Sequence, residues 1–468
     1  MEIIIIGGGI TGLSAAYRLI EANRTDLNVT LLEASSQFGG TIKTIERDGF
    51  LIELGPDSFL ATKPWLTNLT ERLNIKHRIL PTNDAFRRSH IVHNGALKPL
   101  PEGFLMMAPT NFLPLVTTDL FTWTGKCRMA MDLFLPRGKA VSDESLGAFV
   151  RRRLGQEVLE RVVQPLIGGI YTGDPDDLSL KAILPRFLDM EARDRSIIKA
   201  MWKQKRVATK KRKKGQEDSG ARYSDLVSFD HGMQTIIDTL LAHIPDHILV
   251  PNSPVQALQR VEDQWQVRTS DDQSYSADAV IMALPSAQAA AMLSGLDTTV
   301  SDELNAIPHA SSAIMNLAFN RSDIPHPLDG FGFVVPAIEK RKIIACSFSS
   351  VKFSNRAPGQ KVLLRVFIGG AMHHELFKLS DLEMEQAVYG ELRDLMGIEA
   401  QPLFKILSRY AHAMPQYLLG HVDRVVRIKK LVNTWPNLAL AGNAFSGVGL
   451  PDCVHSGEEA AEKILNEL

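Results

Sequence analysis

An apolar run, Ile3-Ile4-Ile5-Ile6, passes directly into Gly7-Gly8-Gly9-Ile10-Thr11-Gly12 and then into an alanine-rich segment. Strand, glycine turn and helix in that order form the opening of a nucleotide-binding βαβ unit. Gly7 permits the tight turn, Gly9 lets the backbone approach a pyrophosphate, and Gly12 lets helix and strand pack closely. The phosphates then face the helix N-terminus, where free N–H groups and the helix dipole favour an anion. The spacing predicts a helix over 13–22 and a strand over 28–32. That strand ends in Glu33, placed to accept hydrogen bonds from ribose hydroxyls, and an acid there argues against a 2′-phosphate.

At 468 residues the chain exceeds the size at which one core stops growing, so two or three structural units are expected. Lys and Arg number 52 against 53 Asp and Glu, a net charge of -1, which implies no nucleic-acid partner. Cys127, Cys346 and Cys453 are scattered, and the histidines stand singly or as a doublet, so no metal site is expected. An odd, unpaired set of cysteines fits a reducing compartment. Met1 leads straight into a strand with no secretory pattern behind it. The most apolar candidate span, 104–123, is broken by Pro109 and Pro114 and carries Asn111, Thr117, Thr118 and Asp119. These features predict a cytoplasmic protein with at most peripheral membrane contact. Lys210, Lys211, Arg212, Lys213 and Lys214 read as a solvated linker and receive no function.

Further along, Gly39-Gly40-Thr41 suggests a second close backbone approach, and a strand over 50–54 leads to Gly55-Pro56-Asp57-Ser58. Thr62 as N-cap and Pro64 in the first turn predict a helix to residue 73. From about 111 to 202 the apolar spacing is helical, with helices over 126–135, 145–154 and 157–167. Strands are expected over 255–261, 265–269 and 279–284, then over 313–319, 331–335, 343–348 and 363–368 in an antiparallel sheet. Ser380-Asp381-Leu382-Glu383 is a capping box for a helix reaching 396. The chain closes with a strand over 438–441, a glycine-rich turn and a helix over 456–468. Glycine-rich strand ends at both extremities favour a long dinucleotide, FAD, over a nicotinamide. Backbone amides around 447–450 would then lie against the isoalloxazine.

Several segments together carry a family resemblance: Ile6-Gly7-Gly8-Gly9-Ile10-Thr11-Gly12-Leu13, Glu33-Ala34-Ser35, Gly39-Gly40, Gly55-Pro56-Asp57-Ser58-Phe59, Gly169-Ile170-Tyr171-Thr172-Gly173-Asp174, Met414-Pro415-Gln416-Tyr417 and Gly447-Val448-Gly449-Leu450-Pro451-Asp452-Cys453. On these the chain resembles the FAD-dependent porphyrinogen oxidases of the monoamine-oxidase-like flavoprotein superfamily, most closely the bacterial coproporphyrinogen III and protoporphyrinogen oxidases. The resemblance spans the chain. It implies an α/β and α+β architecture: a Rossmann-like FAD-binding domain of the glutathione-reductase or amine-oxidase type, an antiparallel-sheet substrate domain and a helical insertion. The expected boundaries are 1–85, 225–295 and 426–468 for a divided FAD-binding domain, 86–224 for the mainly helical insertion and 296–425 for the substrate domain.

The implied reaction removes six electrons and six protons from a porphyrinogen in haem biosynthesis, with molecular oxygen as acceptor giving H2O2. Coproporphyrinogen III is the favoured substrate, protoporphyrinogen IX the alternative, and hand-over to the next haem-pathway enzyme is a further expectation. Residues implied to touch noncovalent FAD are Gly7, Gly8, Gly9, Ile10, Thr11, Gly12, Glu33, Ala34, Gly40, Thr41, Gly55, Pro56, Asp57, Ser58, Val255, Tyr410, Gly442, Val448, Gly449 and Leu450. The resemblance turns the Gly169 carbonyl toward the macrocycle, as the catalytic and substrate-binding position. It places Lys63 near a substrate carboxylate, although Lys63 reads equally as an exposed lysine beside a helix start. Where the superfamily usually has arginine and a second basic residue, this chain has Gln37 and Thr41, which leaves phosphate contacts to backbone, Thr41 or Lys43. Cys453 sits in a Pro-Asp-Cys setting that the resemblance associates with noncovalent flavin. The rival readings are an amine oxidase or desaturase on the same fold, and a binding protein of the Rab GDP-dissociation-inhibitor type.

Overall fold

The computed structural model describes residues 1–105, 107–109, 112–138, 142–213 and 225–467. Side chains of the basic run at 210–214 lie outside what is described. The strand Glu2–Ile6 occupies the centre of a five-stranded sheet, hydrogen-bonded in parallel to Asn28–Leu32 on one side and Ala279–Met282 on the other. Leu249–Val250 and Leu438–Leu440 complete the edges. A parallel strand covered on both faces needs apolar residues without alternation. Accordingly, Ile3 and Ile5 enter the core under the flanking helices, while Ile4 and Ile6 enter the core on the opposite face.

The helices Ile10–Glu21 and Leu450–Glu467, which open and close the chain, lie side by side. A Cβ on Gly457 would stand 2.2 Å from the Thr11 carbonyl, so only glycine permits this approach. The final helix begins six residues earlier than the 456–468 expected, because Pro451 falls in its first turn, where a missing N–H costs nothing.

A second sheet of seven strands runs in the order Phe404–Pro415, His309–Asn320, Lys361–Gly369, Ala345–Phe348, Gly332–Val334, His90–His93 and Ala96–Pro99. It is antiparallel apart from one parallel pairing, of Gly332–Val334 with His90–His93. Two strands from the segment expected to be mainly helical therefore extend this sheet. One sheet face is covered by the helix Asp381–Met396, whose Ser380–Glu383 capping box forms as read. Asn316, on the same sheet, donates to the Glu53 carbonyl at 3.1 Å and ties the sheet to the nucleotide-binding unit.

The helical block packs around its own core of Phe149, Val162, Ile167 and Phe187. Beside it the fully buried Asp132 and Arg153 pair at 2.6 Å. The helix expected over 157–167 is interrupted by a π-turn, Leu159–Val163, before Gln164–Tyr171. Pro165 cannot donate to the preceding turn, and a π-turn absorbs the lost bond. Thr62 does not cap the helix Pro64–Arg72, which has Lys63 as its boundary residue and no side-chain cap. Pro64 starts the helix and holds Lys63 extended, leaving Thr62 one position too distant.

Candidate flavin site

The sequence-predicted phosphate cradle is stereochemically demanding. Gly7 has φ +107°, and a Cβ there would meet the Ala283 carbonyl at 2.4 Å. A Cβ on Gly12 would stand 1.9 Å from the Gly7 carbonyl. At Gly9, by contrast, a Cβ would face open space. Gly9 is also the N-cap of the first helix and supplies no side-chain oxygen, so the first-turn N–H groups remain available to an anion. Ile10 and Thr11 are buried against the core and can present only backbone to a ligand.

Glu33 stitches this turn together: its carboxylate accepts from the Gly8 N–H at 2.7 Å and the Ser35 N–H at 2.8 Å. Ala34 is exposed next to it, and the Glu33 carbonyl accepts from Ser253 at 2.8 Å, two residues before Val255. The second glycine pair lies against the first. Gly39 donates to the Gly8 carbonyl at 2.8 Å, and a Cβ on Gly40 would come within 3.3 Å of the Gly9 Cα. Thr41 is exposed at this junction, while the Lys43 ammonium is 3.3 Å from Gln37.

From there the contacts continue inward. A Cβ on Gly55 would stand 1.7 Å from the Thr41 carbonyl, so Gly55-Pro56 runs directly under the second glycine turn. Asp57 accepts from the Lys352 ammonium at 2.9 Å and from the Ser58 hydroxyl at 2.8 Å, with Arg365 at 3.7 Å. Burial alone would push the Asp57 pKa up, yet the Lys352 and Arg365 charges hold it well below the usual carboxylate range. Tyr410, half-buried on the neighbouring sheet, has its phenol pKa raised by burial and drawn back by Arg365. Sequence reasoning missed both cations. A visible signal existed in Arg365, a charge in the middle of the apolar run Val362-Leu363-Leu364-Arg365-Val366-Phe367-Ile368.

The carboxyl end closes the site from the other side. Gly442 and Gly447 have φ +134° and +147°, and a Cβ on Gly447 would clash with Asp452 at 2.3 Å. Gly442 donates to Ser456 at 2.9 Å, and Gly449 donates to the Asp452 carboxylate at 3.2 Å. Val448 and Leu450 flank Gly449 at the start of the last helix. Lys63 meets this loop: its ammonium is 2.6 Å from Asp452, a residue 389 positions away in sequence. Lys63 is thus a partly exposed lysine at a helix start, as one of its two readings had it, and it is paired with an acid of the carboxyl loop.

Gly169 stands on the last turn of Gln164–Tyr171, exposed, with Val334 3.9 Å from where its Cβ would be. Carbonyls of a last helical turn lack intrahelical partners, which leaves this one available to a ligand. The structure thus brings residues 7–12, 33, 40–41, 55–58, 63 and 447–450 into one chain of contacts. Tyr410, on the seven-stranded sheet, reaches it through the charge of Arg365, whereas Gly169 lies beside Val334 and touches none of these residues. Among the described residues no helix is long and apolar enough to cross a membrane, and no metal-binding group of three or more His, Cys, Asp or Glu is found.

His421 backs the carboxyl loop, with a ring nitrogen 3.1 Å from the Phe445 carbonyl and its ring stacked on Tyr417. Burial pulls its pKa from 6.5 down to about 4. The unfolded chain therefore binds the extra proton between these values, and stability falls as pH falls through that window. At pH 5 the loss from this residue is about 2 kcal/mol, and burial of His90, His309 and His326 acts in the same direction. Denaturant titrations at pH 7 and pH 5 are expected to show this drop, with His421→Gln reducing it. An identical pH slope in the variant would count against the assignment.

Comparison with known proteins agrees with this geometry. The model of the flavin containing amine oxidoreductase family matches residues 10–465. The chain is 35% identical to the coproporphyrinogen III oxidase of Bacillus subtilis, covering 100% of this chain and 98% of that protein. Identity is 34% to the Staphylococcus aureus enzyme of the same name, over 100% and 99%. A solved structure from Exiguobacterium sp. 255-15, whose name assigns it provisionally to the protoporphyrinogen oxidases, superposes with a TM-score of 0.87 at 32% identity over 100% and 99% of the two chains. UDP-galactopyranose mutase, at 16% identity and a TM-score of 0.73, shares the fold. This chain is a flavin-dependent oxidoreductase that belongs to the flavin containing amine oxidoreductase family, in its porphyrinogen oxidase branch.

Proposed function

We propose that this protein oxidises coproporphyrinogen III to coproporphyrin III in haem biosynthesis, using noncovalently bound FAD. The observation that carries this reading is the meeting of the two glycine turns: Gly7 packs on the Ala283 carbonyl, while Gly442 comes closest to that of the adjacent Leu284. The site fits the cofactor on its own geometry. Open space at Gly9, an uncapped helix start and glycines whose Cβ atoms would clash leave backbone donors facing a pyrophosphate.

When bound, FAD would supply the electron acceptor, two electrons at a time, and O2 would receive them. Over three such rounds the porphyrinogen loses six electrons and six protons, and three O2 become three H2O2. The chain's own residues position and enclose. Glu33, with Ala34 and Val255 alongside, holds the adenosine end, and Gly8, Gly40 and Thr41 line the phosphates. Gly55, Pro56, Asp57, Ser58 and Tyr410 would bound the ring, and Val448, Gly449 and Leu450 would line its other side, with the Gly449 amide held by Asp452. The Gly169 carbonyl forms the opposite wall. Lys63, held by Asp452, keeps a cation at the mouth for a propionate. Cys453 is buried, and burial followed by the Asp452 charge pushes its thiol up to about 12. A thiol kept protonated is a poor nucleophile, which supports noncovalent flavin. The cysteines are free thiols, in keeping with a cytoplasmic setting.

Acid precipitation is expected to leave the polypeptide colourless and the yellow cofactor in the supernatant, identified as FAD by chromatography. Colour remaining on the pellet refutes the noncovalent assignment. For the substrate, equal amounts of coproporphyrinogen III and protoporphyrinogen IX are incubated with holoenzyme, and porphyrins and H2O2 are followed in time. Coproporphyrin III is the product expected to form faster; faster protoporphyrin formation would reverse the choice.

A further inference from the structure

Met414-Pro415-Gln416-Tyr417 has no part in the flavin or substrate contacts described above, yet its last two side chains are nearly inaccessible. Their contacts run in opposite directions. The Gln416 amide donates to the Tyr171 carbonyl at 2.9 Å and to the Met414 carbonyl at 3.1 Å. Tyr171 ends the helix that carries Gly169. Gly173, just beyond that helix, has no room for a Cβ, which would stand 2.5 Å from the Gln416 side-chain oxygen. The Tyr417 hydroxyl, on the other side, accepts from the Gly447 N–H at 2.8 Å and donates to the Asn443 carbonyl. It thereby joins the two ends of the glycine loop, while its ring rests on His421 at a centroid distance of 4.0 Å. The Tyr417 carbonyl accepts from Ser179 at 2.8 Å, anchoring the backbone between the two side chains to the helical block.

We propose that Gln416 and Tyr417 are a pair of positioning residues that set the width of the reaction cleft, Gln416 holding the substrate wall and Tyr417 the flavin loop. This rests on the FAD and porphyrin reading above. A tetrapyrrole must lie at a defined separation from the acceptor ring, and small misplacements cost large factors in rate. Adjacent residues directly after the strand Phe404–Pro415 can hold that separation more rigidly than two independent loops. Because the contacts diverge, the two side chains have separable effects.

The test uses holoenzyme and two ligands. Tyr417→Phe keeps the ring and its stacking but leaves the Gly447 N–H and Asn443 carbonyl without their partner; Gln416→Leu removes the hold on Tyr171. FAD Kd is read by flavin fluorescence, and coproporphyrin III Kd by porphyrin fluorescence, with KM for the porphyrinogen as a third value. Tyr417→Phe is expected to weaken FAD about tenfold, as loss of one buried hydrogen-bonding group does, with porphyrin Kd within about twofold. Gln416→Leu is expected to weaken porphyrin and raise KM about tenfold, with FAD Kd unchanged. Gly173→Ala, which pushes on the Gln416 amide, reproduces the second pattern and replaces Gln416→Leu if that variant does not fold. Both constants moving together, neither moving, or the pattern reversed overturns the proposal. Wild-type protein that binds no FAD would instead overturn the reading on which it rests.

Discussion

Gly12→Val is expected to yield a protein that purifies without colour and binds FAD at least about a hundredfold more weakly than wild type. A Cβ at this position would lie 1.9 Å from the Gly7 carbonyl, a backbone atom that cannot swing away. Relief requires the first helix to move off the central strand, and overpacking of this kind costs about 1–3 kcal/mol before any ligand contact is counted. The same movement displaces the helix N-terminus from the phosphates, and each 1.4 kcal/mol lost is about a tenfold weakening. Gly9→Ala separates the two contributions. Its Cβ meets no protein atom, and its φ of -72° suits any residue, so melting temperature is expected to stay unchanged while FAD affinity falls. Fluorescence titration with FAD beside a melting curve reads both. Flavin retained by Gly12→Val, or undiminished in Gly9→Ala, means that the phosphates lie elsewhere.

Arg153→Met is the second large effect, on stability instead of affinity. The guanidinium pairs with Asp132 at 2.6 Å and also donates to the Pro136 carbonyl at 2.8 Å. Asp132 in turn accepts from Ser196 at 2.6 Å and from the Ile198 N–H at 3.0 Å. Removing one partner strands a buried charge, at a cost of about 3–5 kcal/mol, whereas replacing both with apolar residues is close to neutral. Urea titration should therefore show Arg153→Met strongly destabilised and Arg153→Met with Asp132→Leu partly restored, because the Ser196 hydroxyl, the Ile198 N–H and the Pro136 carbonyl stay without their partners. A loss below about 1 kcal/mol, or no recovery in the double variant, contradicts the account. Because the same block carries Gly169, the single variant is also expected to lose porphyrin binding.

The Arg153–Asp132 pair was not legible in advance. The glycine cradle was, because its residues lie within one strand, turn and helix and their stereochemistry is local. The strand at 28–32 and the capping box at Ser380 fall in the same class, with boundaries as expected. The π-turn at 159–163 was not read, although Pro165 stands in the sequence as its cause. Nor was the joining of His90–His93 to a strand more than two hundred positions later, since a short strand contains no record of its neighbour.

Taken alone, the amino-acid sequence determined a glycine turn between strand and helix, an acid at the end of the next strand, a second glycine turn at the far end and a family resemblance along its whole length. Local sterics and helix-end electrostatics suffice for the turn, since each acts over a few residues. Only the tertiary structure decided that Lys63 pairs with Asp452, that Asp57 lies between Lys352 and Arg365, and that Tyr417 binds the carboxyl loop. Those partners are as many as 389 positions apart. A charge or hydroxyl in a linear sequence does not specify what will neutralise it; folding does, by bringing groups from distant segments together where at least one of them is buried and cannot be left alone.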